Sequence, residues 1–136
     1  MSMEAVVNYQ GKLAMLVDDD EDFLDQMKVQ IESLGFKTVT ADSQSAAEAL
    51  LRSVSPDLAI IDLMMENMDA GFVLSYEIKA KCPHAPVIMV TGVAAETGMT
   101  FDANTREERT WIKADVILSK PVRLDQLKRE IERLLK

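Results

Sequence analysis

Leu13-Ala14-Met15-Leu16-Val17-Asp18-Asp19-Asp20 is an apolar run that ends abruptly in three carboxylates. A strand covered on both faces reads as an unbroken apolar run, because helices on either side of a parallel sheet leave no face to water. The stretch therefore predicts a β-strand over 13–17 that empties into an acidic loop. Adjacent like charges repel, and a chain keeps them together where a cation or a basic side chain lies among them. The pattern recurs downstream: Leu58-Ala59-Ile60-Ile61 ends in Asp62, Val87-Ile88-Met89-Val90 ends in Thr91, and Val116-Ile117-Leu118 leads through Ser119 to Lys120. Four apolar strands, each discharging a polar residue at its carboxyl end, describe one site at one edge of a parallel sheet.

Helical patterns separate these strands. Phe23, Leu24, Met27, Ile31 and Leu34 repeat at helical spacing, with Gly35 as a stop. Phe36-Lys37-Thr38-Val39-Thr40 alternates and is rich in β-branched residues, which predicts a short strand. Ser45-Ala46-Ala47-Glu48 reads as a capping box opening a helix that Pro56 limits to about Val54. Gly71 to Lys81 carries a third helix, Thr105-Arg106-Glu107-Glu108 caps a fourth near Trp111, and Leu124, Leu127, Ile131 and Leu134 mark the last. A β-α unit repeated five times requires right-handed crossovers and a parallel sheet covered on both faces. Such a doubly wound α/β sheet places ligands beyond the strand carboxyl ends. Residues 1–11 read as an N-terminal tail and 12–136 as one domain.

Composition narrows the function classes. The 136 residues carry a net charge of -8, and the imbalance lies in the first half, at -9 over residues 1–68 against +1 over 69–136. An acidic chain of this kind repels nucleic-acid phosphates, which disfavours direct nucleic-acid binding. No apolar stretch is long enough for membrane insertion, and no signal-peptide pattern opens the sequence. The single cysteine, Cys82, excludes an internal disulfide and fits a reducing cytoplasm.

Asp18, Asp19 and Asp62 offer hard oxygen ligands with no nitrogen or sulfur, a set that suits Mg²⁺. A carboxylate beside Mg²⁺ can also act as a nucleophile towards phosphorus, giving an aspartyl phosphate. Phosphoryl transfer asks a protein mainly for in-line positioning and for positive charge around the equatorial oxygens. Lys120 supplies a compact cation and Thr91 a hydroxyl donor. Against this stands a plainer reading, in which acidic residues after a strand serve as first-turn helix residues; Asp20 and Asp22 fit it. The joint placement of the other residues at strand ends favours a site.

Leu16-Val17-Asp18-Asp19-Asp20, Pro56-Asp57-Leu58-Ala59-Ile60-Ile61-Asp62-Leu63-Met64-Met65, Pro86-Val87-Ile88-Met89-Val90-Thr91-Gly92 and Ser119-Lys120-Pro121 together resemble the motif set of response-regulator receiver domains of two-component signalling. The likeness runs from about Lys12 to the C-terminus. It implies a flavodoxin-like (βα)5 three-layer sandwich with strand order 2-1-3-4-5. It implies that Asp62 accepts a phosphoryl group from a histidine kinase or histidine phosphotransfer protein. Asp19 and Asp62 would ligate Mg²⁺ directly with the backbone carbonyl of Met64, and Asp18 would act mostly through water. Thr91 and Lys120 would bind the phosphoryl oxygens, and the peptide bond before Pro121 would be cis. The chain would then be a phosphoacceptor rather than a turnover enzyme. It would signal to an unknown downstream protein through altered contacts, with a homodimer as one form of them.

Some positions depart from the pattern. Glu66 stands where proline is common, and Ala70-Gly71 lengthens the turn before the third helix. The stretch from Gly92 to Lys113 is long, and Ile117 replaces a usual aromatic, so the long stretch and the Trp111 helix are expected to carry the conformational response. Met64 and Val93, apolar at two positions flanking the attack route of water, predict a long-lived phosphorylated state. His84, the single histidine, reads as a solvated loop residue, so a phosphohistidine donor must come from a second protein. Met64, Met65 and Met68 read as packing near the site. Arg106, Arg109 and Lys113, and likewise Lys128, Arg129 and Arg133, read as solvated helix faces.

Rival readings within the class are a phosphorelay intermediate and a receiver cut from a longer regulator. A non-phosphorylated interaction module would not need Asp18, Asp19, Asp62 and Lys120 together. An aspartyl-nucleophile phosphatase of the haloacid-dehalogenase kind needs a second Asp two residues after the nucleophile, where Met64 stands.

Overall fold

Five parallel strands in the order β2-β1-β3-β4-β5 form the sheet: β1 (Leu13–Val17), β2 (Lys37–Ala41), β3 (Leu58–Asp62), β4 (Val87–Thr91) and β5 (Val116–Ser119). Among the described residues four helices accompany them, α1 (Glu21–Glu32), α2 (Gln44–Ser53), α3 (Ala70–Lys81) and α4 (Leu124–Leu134). The computed structural model describes residues 9–63, 65, 70–92 and 114–135. The helix expected near Trp111, the 93–113 part of the long stretch and the Met64, Glu66 and Met68 positions lie outside the described residues. No helix among the described residues is long and apolar enough to cross a membrane.

Strand periodicity sorts the core into two halves. Ala14 and Leu16 of β1 face one side with Leu24, Met27 and Ile31 of α1 and Leu127 and Ile131 of α4. Met15 and Val17 face the other, with Ala47 and Leu51 of α2 and Leu74 and Ile78 of α3. The three central strands are buried on both faces, which is why their sequences read as unbroken apolar runs. Full burial of a side chain such as Ile131 or Leu74 contributes about 1.5–3 kcal/mol relative to leaving it exposed.

Local chemistry sets the helix ends. Asp20 is the N-cap of α1, its side chain accepting from the backbone N–H groups of Asp22 and Phe23. After α1, Gly35 takes φ 106°, a left-handed conformation open to glycine and strained for other residues. The expected capping box at Ser45 is displaced: Ser43 is the N-cap of α2, accepting from Ala46 N at 3.1 Å. Glu48 bonds the Gln44 side-chain amide instead, at 3.1 Å. Either serine satisfies the cap rule on sequence alone. At the far end of α2, Lys81 reaches from α3 to the carbonyls of Leu51 and Val54.

The packed region also starts earlier than a tail ending at Gly11 predicts. Tyr9 is buried, stacks on Phe36 with ring centroids 4.7 Å apart, and donates its N–H to Leu34 O at 3.1 Å. Burial, and then the nearby Glu132 carboxylate, push the Tyr9 phenol above its ordinary value. A single aromatic among polar neighbours gives no periodicity, so the sequence carries no signal for this anchor.

Candidate functional site

The parallel register delivers the polar residues to one edge. Val17 of β1 is paired with Ile61 of β3, so Asp18, the first residue after β1, stands beside Asp62, the last residue of β3. Thr91 of β4 is paired with Ser119 of β5, so Gly92 and Lys120 follow in the same way. The ladders continue past the strands: Asp18 N donates to Ala41 O at 3.1 Å, Leu63 N to Val90 O at 2.8 Å, and Lys120 N to Thr91 O at 2.8 Å. These bonds fix the backbones from which the site's side chains project. The Lys120-Pro121 peptide bond is cis.

Asp18, Asp62 and Thr91 are buried at 2%, 7% and 3% exposure, whereas Asp19 is exposed. One carboxylate oxygen from each of Asp18, Asp19 and Asp62 lies within 4.8 Å of the others, a group that could hold a metal ion. Lys120 Nζ lies 3.0 Å from Asp18 Oδ2 and 4.0 Å from Asp62 Oδ1. The shorter contact is an ion pair without hydrogen-bond alignment, which leaves the buried Asp18 Oδ2 lacking an aligned donor. Its companion Oδ1 accepts from Asp20 N at 2.9 Å.

Electrostatics at Lys120 follow from these neighbours. Burial is the largest influence on its ammonium and pulls the pKa down. The Asp18 contact, then the charges of Asp62, Asp18 and Asp20, outweigh burial and hold the group above the ordinary lysine value. The lysine is therefore a fixed positive charge at any physiological pH. The Phe23 ring completes its surroundings, with Nζ 4.4 Å from the ring centroid.

The donor set fits a hard divalent cation. Three carboxylates offer oxygen only, Asp19 stays open to water, and the unaligned Asp18 oxygen has capacity for a further electrostatic partner. One lysine leaves the three negative charges short of neutrality.

Of the residues singled out from sequence, Asp18, Asp19, Asp62 and Lys120 are brought together, and Thr91 ends the neighbouring strand β4. Met64 lies outside the described residues. Phe23 reads in sequence as one more apolar position of a helix, and its contact with Lys120 is missed. Asp20 is the N-cap of α1 and not a member of the carboxylate cluster; the plainer reading made it a first-turn residue, whereas the first turn holds Glu21 and Asp22.

Comparison with known proteins gives a consistent picture. The response regulator receiver domain pattern matches residues 14–132. The photosynthetic apparatus regulatory protein RegA of Rhodobacter capsulatus is 33% identical over 81 residues, 60% of this chain and 44% of that protein. The heme response regulator HssR of Staphylococcus epidermidis is 32% identical over 123 residues, 90% of this chain and 50% of that protein. The chain thus spans about half the length of these curated relatives or less. A crystal structure of a CheY-like response regulator receiver domain protein from Methanospirillum hungatei superposes with a TM-score of 0.72 at 27% identity, covering 90% of this chain and 93% of that one.

Proposed function

The chain belongs to the response regulator receiver domain family, and from that membership we propose that Asp62 accepts a phosphoryl group from a phosphohistidine on a partner protein. An Asp62 oxygen attacks phosphorus, the P–N bond breaks, and its electron pair returns to the imidazole nitrogen, which takes up a proton. The observation that carries this reading is the reach of Lys120 from the end of β5 to within 4.0 Å of Asp62. An ammonium there is placed to pair with a phosphoryl oxygen at the moment negative charge gathers around phosphorus.

The chemistry divides among the residues of the site. Asp62 is the nucleophile, and its burial keeps water from competing for the carboxylate. Thr91, at the end of the adjacent strand, donates its hydroxyl to a phosphoryl oxygen. Lys120 carries the positive charge, and its raised pKa keeps it protonated throughout. Asp19 and Asp62 would hold Mg²⁺ directly and Asp18 mostly through water, and the backbone carbonyl of Met64 would be a further ligand. Bound there, Mg²⁺ would neutralise the carboxylates and the incoming phosphoryl group and lower their mutual repulsion.

The reaction is a single transfer to the protein itself, so it changes the state of the chain rather than turning over a substrate. Output follows through altered contacts with another protein. The donor is a histidine kinase or histidine phosphotransfer protein, because a phosphohistidine is a high-energy P–N donor and the chain's own His84 sits in an exposed loop. A cytoplasmic location matches that partner class.

Incubation with acetyl phosphate and Mg²⁺, followed by intact-mass measurement, tests the proposal. The wild-type chain should gain one base-labile phosphoryl group, and Asp62→Asn should gain none. An adduct of equal extent on both proteins would overturn the assignment.

A further inference from the structure

We infer that Phe23 is a positioning residue for Lys120, holding its ammonium beside Asp62 through a ring contact that is not itself a carboxylate contact; the inference rests on the receiver reading above. A lysine ammonium is a point charge on a flexible stem, so carboxylates alone fix it poorly. Here they also compete unequally, because Asp18 at 3.0 Å draws the group more strongly than Asp62 at 4.0 Å. The Phe23 ring adds a third, uncharged hold. At 4.4 Å from the centroid, Nζ lies well inside the range in which an aromatic quadrupole attracts a cation.

The ring is fixed by the same loop that supplies the carboxylates. Phe23 N donates to Asp20 Oδ1 at 3.2 Å, and Asp20 N donates to Asp18 Oδ1 at 2.9 Å. Asp18 Oδ2 then meets Lys120 Nζ, which meets the Phe23 ring. The contacts close a circuit through Asp18, Asp20, Phe23 and Lys120. Within it the third carboxylate of the acidic run has its own part, since Asp20 caps α1 and so sets where the ring stands. Gly92 does not confine the stem, since even a Cβ there would meet Lys120 Cδ only at an ordinary contact distance of 3.9 Å.

The consequence concerns a divalent ion. An ion that draws on the charge of Asp18 weakens that residue's hold on Lys120, while the ring contact involves no carboxylate and persists. Phe23 therefore keeps the ammonium near the acceptor when the carboxylates are otherwise engaged.

Two readouts on the full chain test this. In NMR spectra the Lys120 Hε resonances, identified by their loss in Lys120→Arg, should be shifted upfield by the ring, with and without Mg²⁺. The shift should survive in Phe23→Tyr and vanish in Phe23→Leu. With acetyl phosphate and Mg²⁺, Phe23→Leu should form the Asp62 adduct about tenfold more slowly, equivalent to about 1.4 kcal/mol, and Phe23→Tyr should restore most of the rate. Should Phe23→Leu fail to fold, a trifluorinated phenylalanine at position 23 weakens the ring face at nearly constant shape and carries the same comparison. Unshifted Lys120 resonances in the wild type, or a leucine variant as fast as wild type, would overturn the proposal. If no protein forms an adduct, the phosphoacceptor reading fails, and the resonances alone decide whether Phe23 holds Lys120.

Discussion

Replacing Lys120 by methionine keeps the stem and removes the charge, which isolates what the ammonium contributes. Asp18 is then a buried carboxylate, its side chain 3% exposed, with its ion-pair partner gone, whereas the lost partner was 25% exposed. Breaking a fully buried pair costs about 3–5 kcal/mol, and exposed pairs contribute about 0–1 kcal/mol. With one partner buried and the other partly exposed, the loss should lie between, at about 2–3 kcal/mol. That cost is electrostatic, so another cation can offset it. The carboxylate group of Asp18, Asp19 and Asp62 gains a full unit of uncompensated charge in the variant. Urea unfolding should therefore show Lys120→Met destabilised by about 2–3 kcal/mol in chelator, with most of the loss recovered at saturating Mg²⁺. By linkage, the variant should also bind Mg²⁺ more tightly than the wild type. An equal loss in chelator and in Mg²⁺ would refute the reasoning and assign the role of Lys120 to packing.

Other perturbations follow from single contacts. A Cβ added at Gly71 would stand 2.6 Å from Leu63 O and 2.7 Å from Asp62 O and Leu63 Cα, all backbone atoms, so Gly71→Ala must push α3 away from the end of β3. Overpacking costs about 1–3 kcal/mol, more than the gain in helix propensity of about 1 kcal/mol; thermal unfolding should show a lower midpoint, and a midpoint at or above the wild type would contradict the close approach. Burial, then the bond and charge of Glu48, raise Glu77 from 4.5 to about 7, in a cleft of about 420 Å³ shared with Arg52 and Lys81. Because the folded value is the higher one, its stabilising contribution is complete below pH 4.5 and is lost as pH rises through about 7. Urea midpoints of wild type and Glu77→Gln should diverge across that window, the wild type losing ground with rising pH; parallel curves would refute the assignment.

The sheet was legible because burial on both faces leaves an unambiguous mark. The runs 13–17, 58–62 and 87–91 can be little else, and each polar residue that ends a run marks the site edge. Parallel register then makes Asp18 and Asp62 neighbours without further information. Side-chain reach was not legible. Phe23 obeys helical periodicity whether it packs in the core or under a lysine, and only the reach of the Lys120 side chain towards Asp18 and Asp62 brings its ammonium to the ring. Cap choice was ambiguous too, since Ser43 and Ser45 are equal candidates by residue type, and only the bond from Ala46 N to the Ser43 hydroxyl separates them. Tyr9 is an isolated aromatic outside any periodic segment, and its partner Phe36 lies on the far side of α1 in sequence. Ala70-Gly71 read as a lengthened turn before the third helix, whereas both lie in the first turn of α3, and the missing side chain of Gly71 serves a backbone approach that no local pattern encodes.

The central claim is that one oxygen of Asp62 takes the phosphoryl group beside a lysine and a carboxylate cluster. Borohydride reduction of the acetyl phosphate-treated protein, which converts an acyl phosphate to the alcohol, followed by peptide mapping, locates the acceptor directly. The account predicts homoserine at position 62 and unmodified aspartate at positions 18 and 19. Homoserine at either of those positions, or at none, would contradict it.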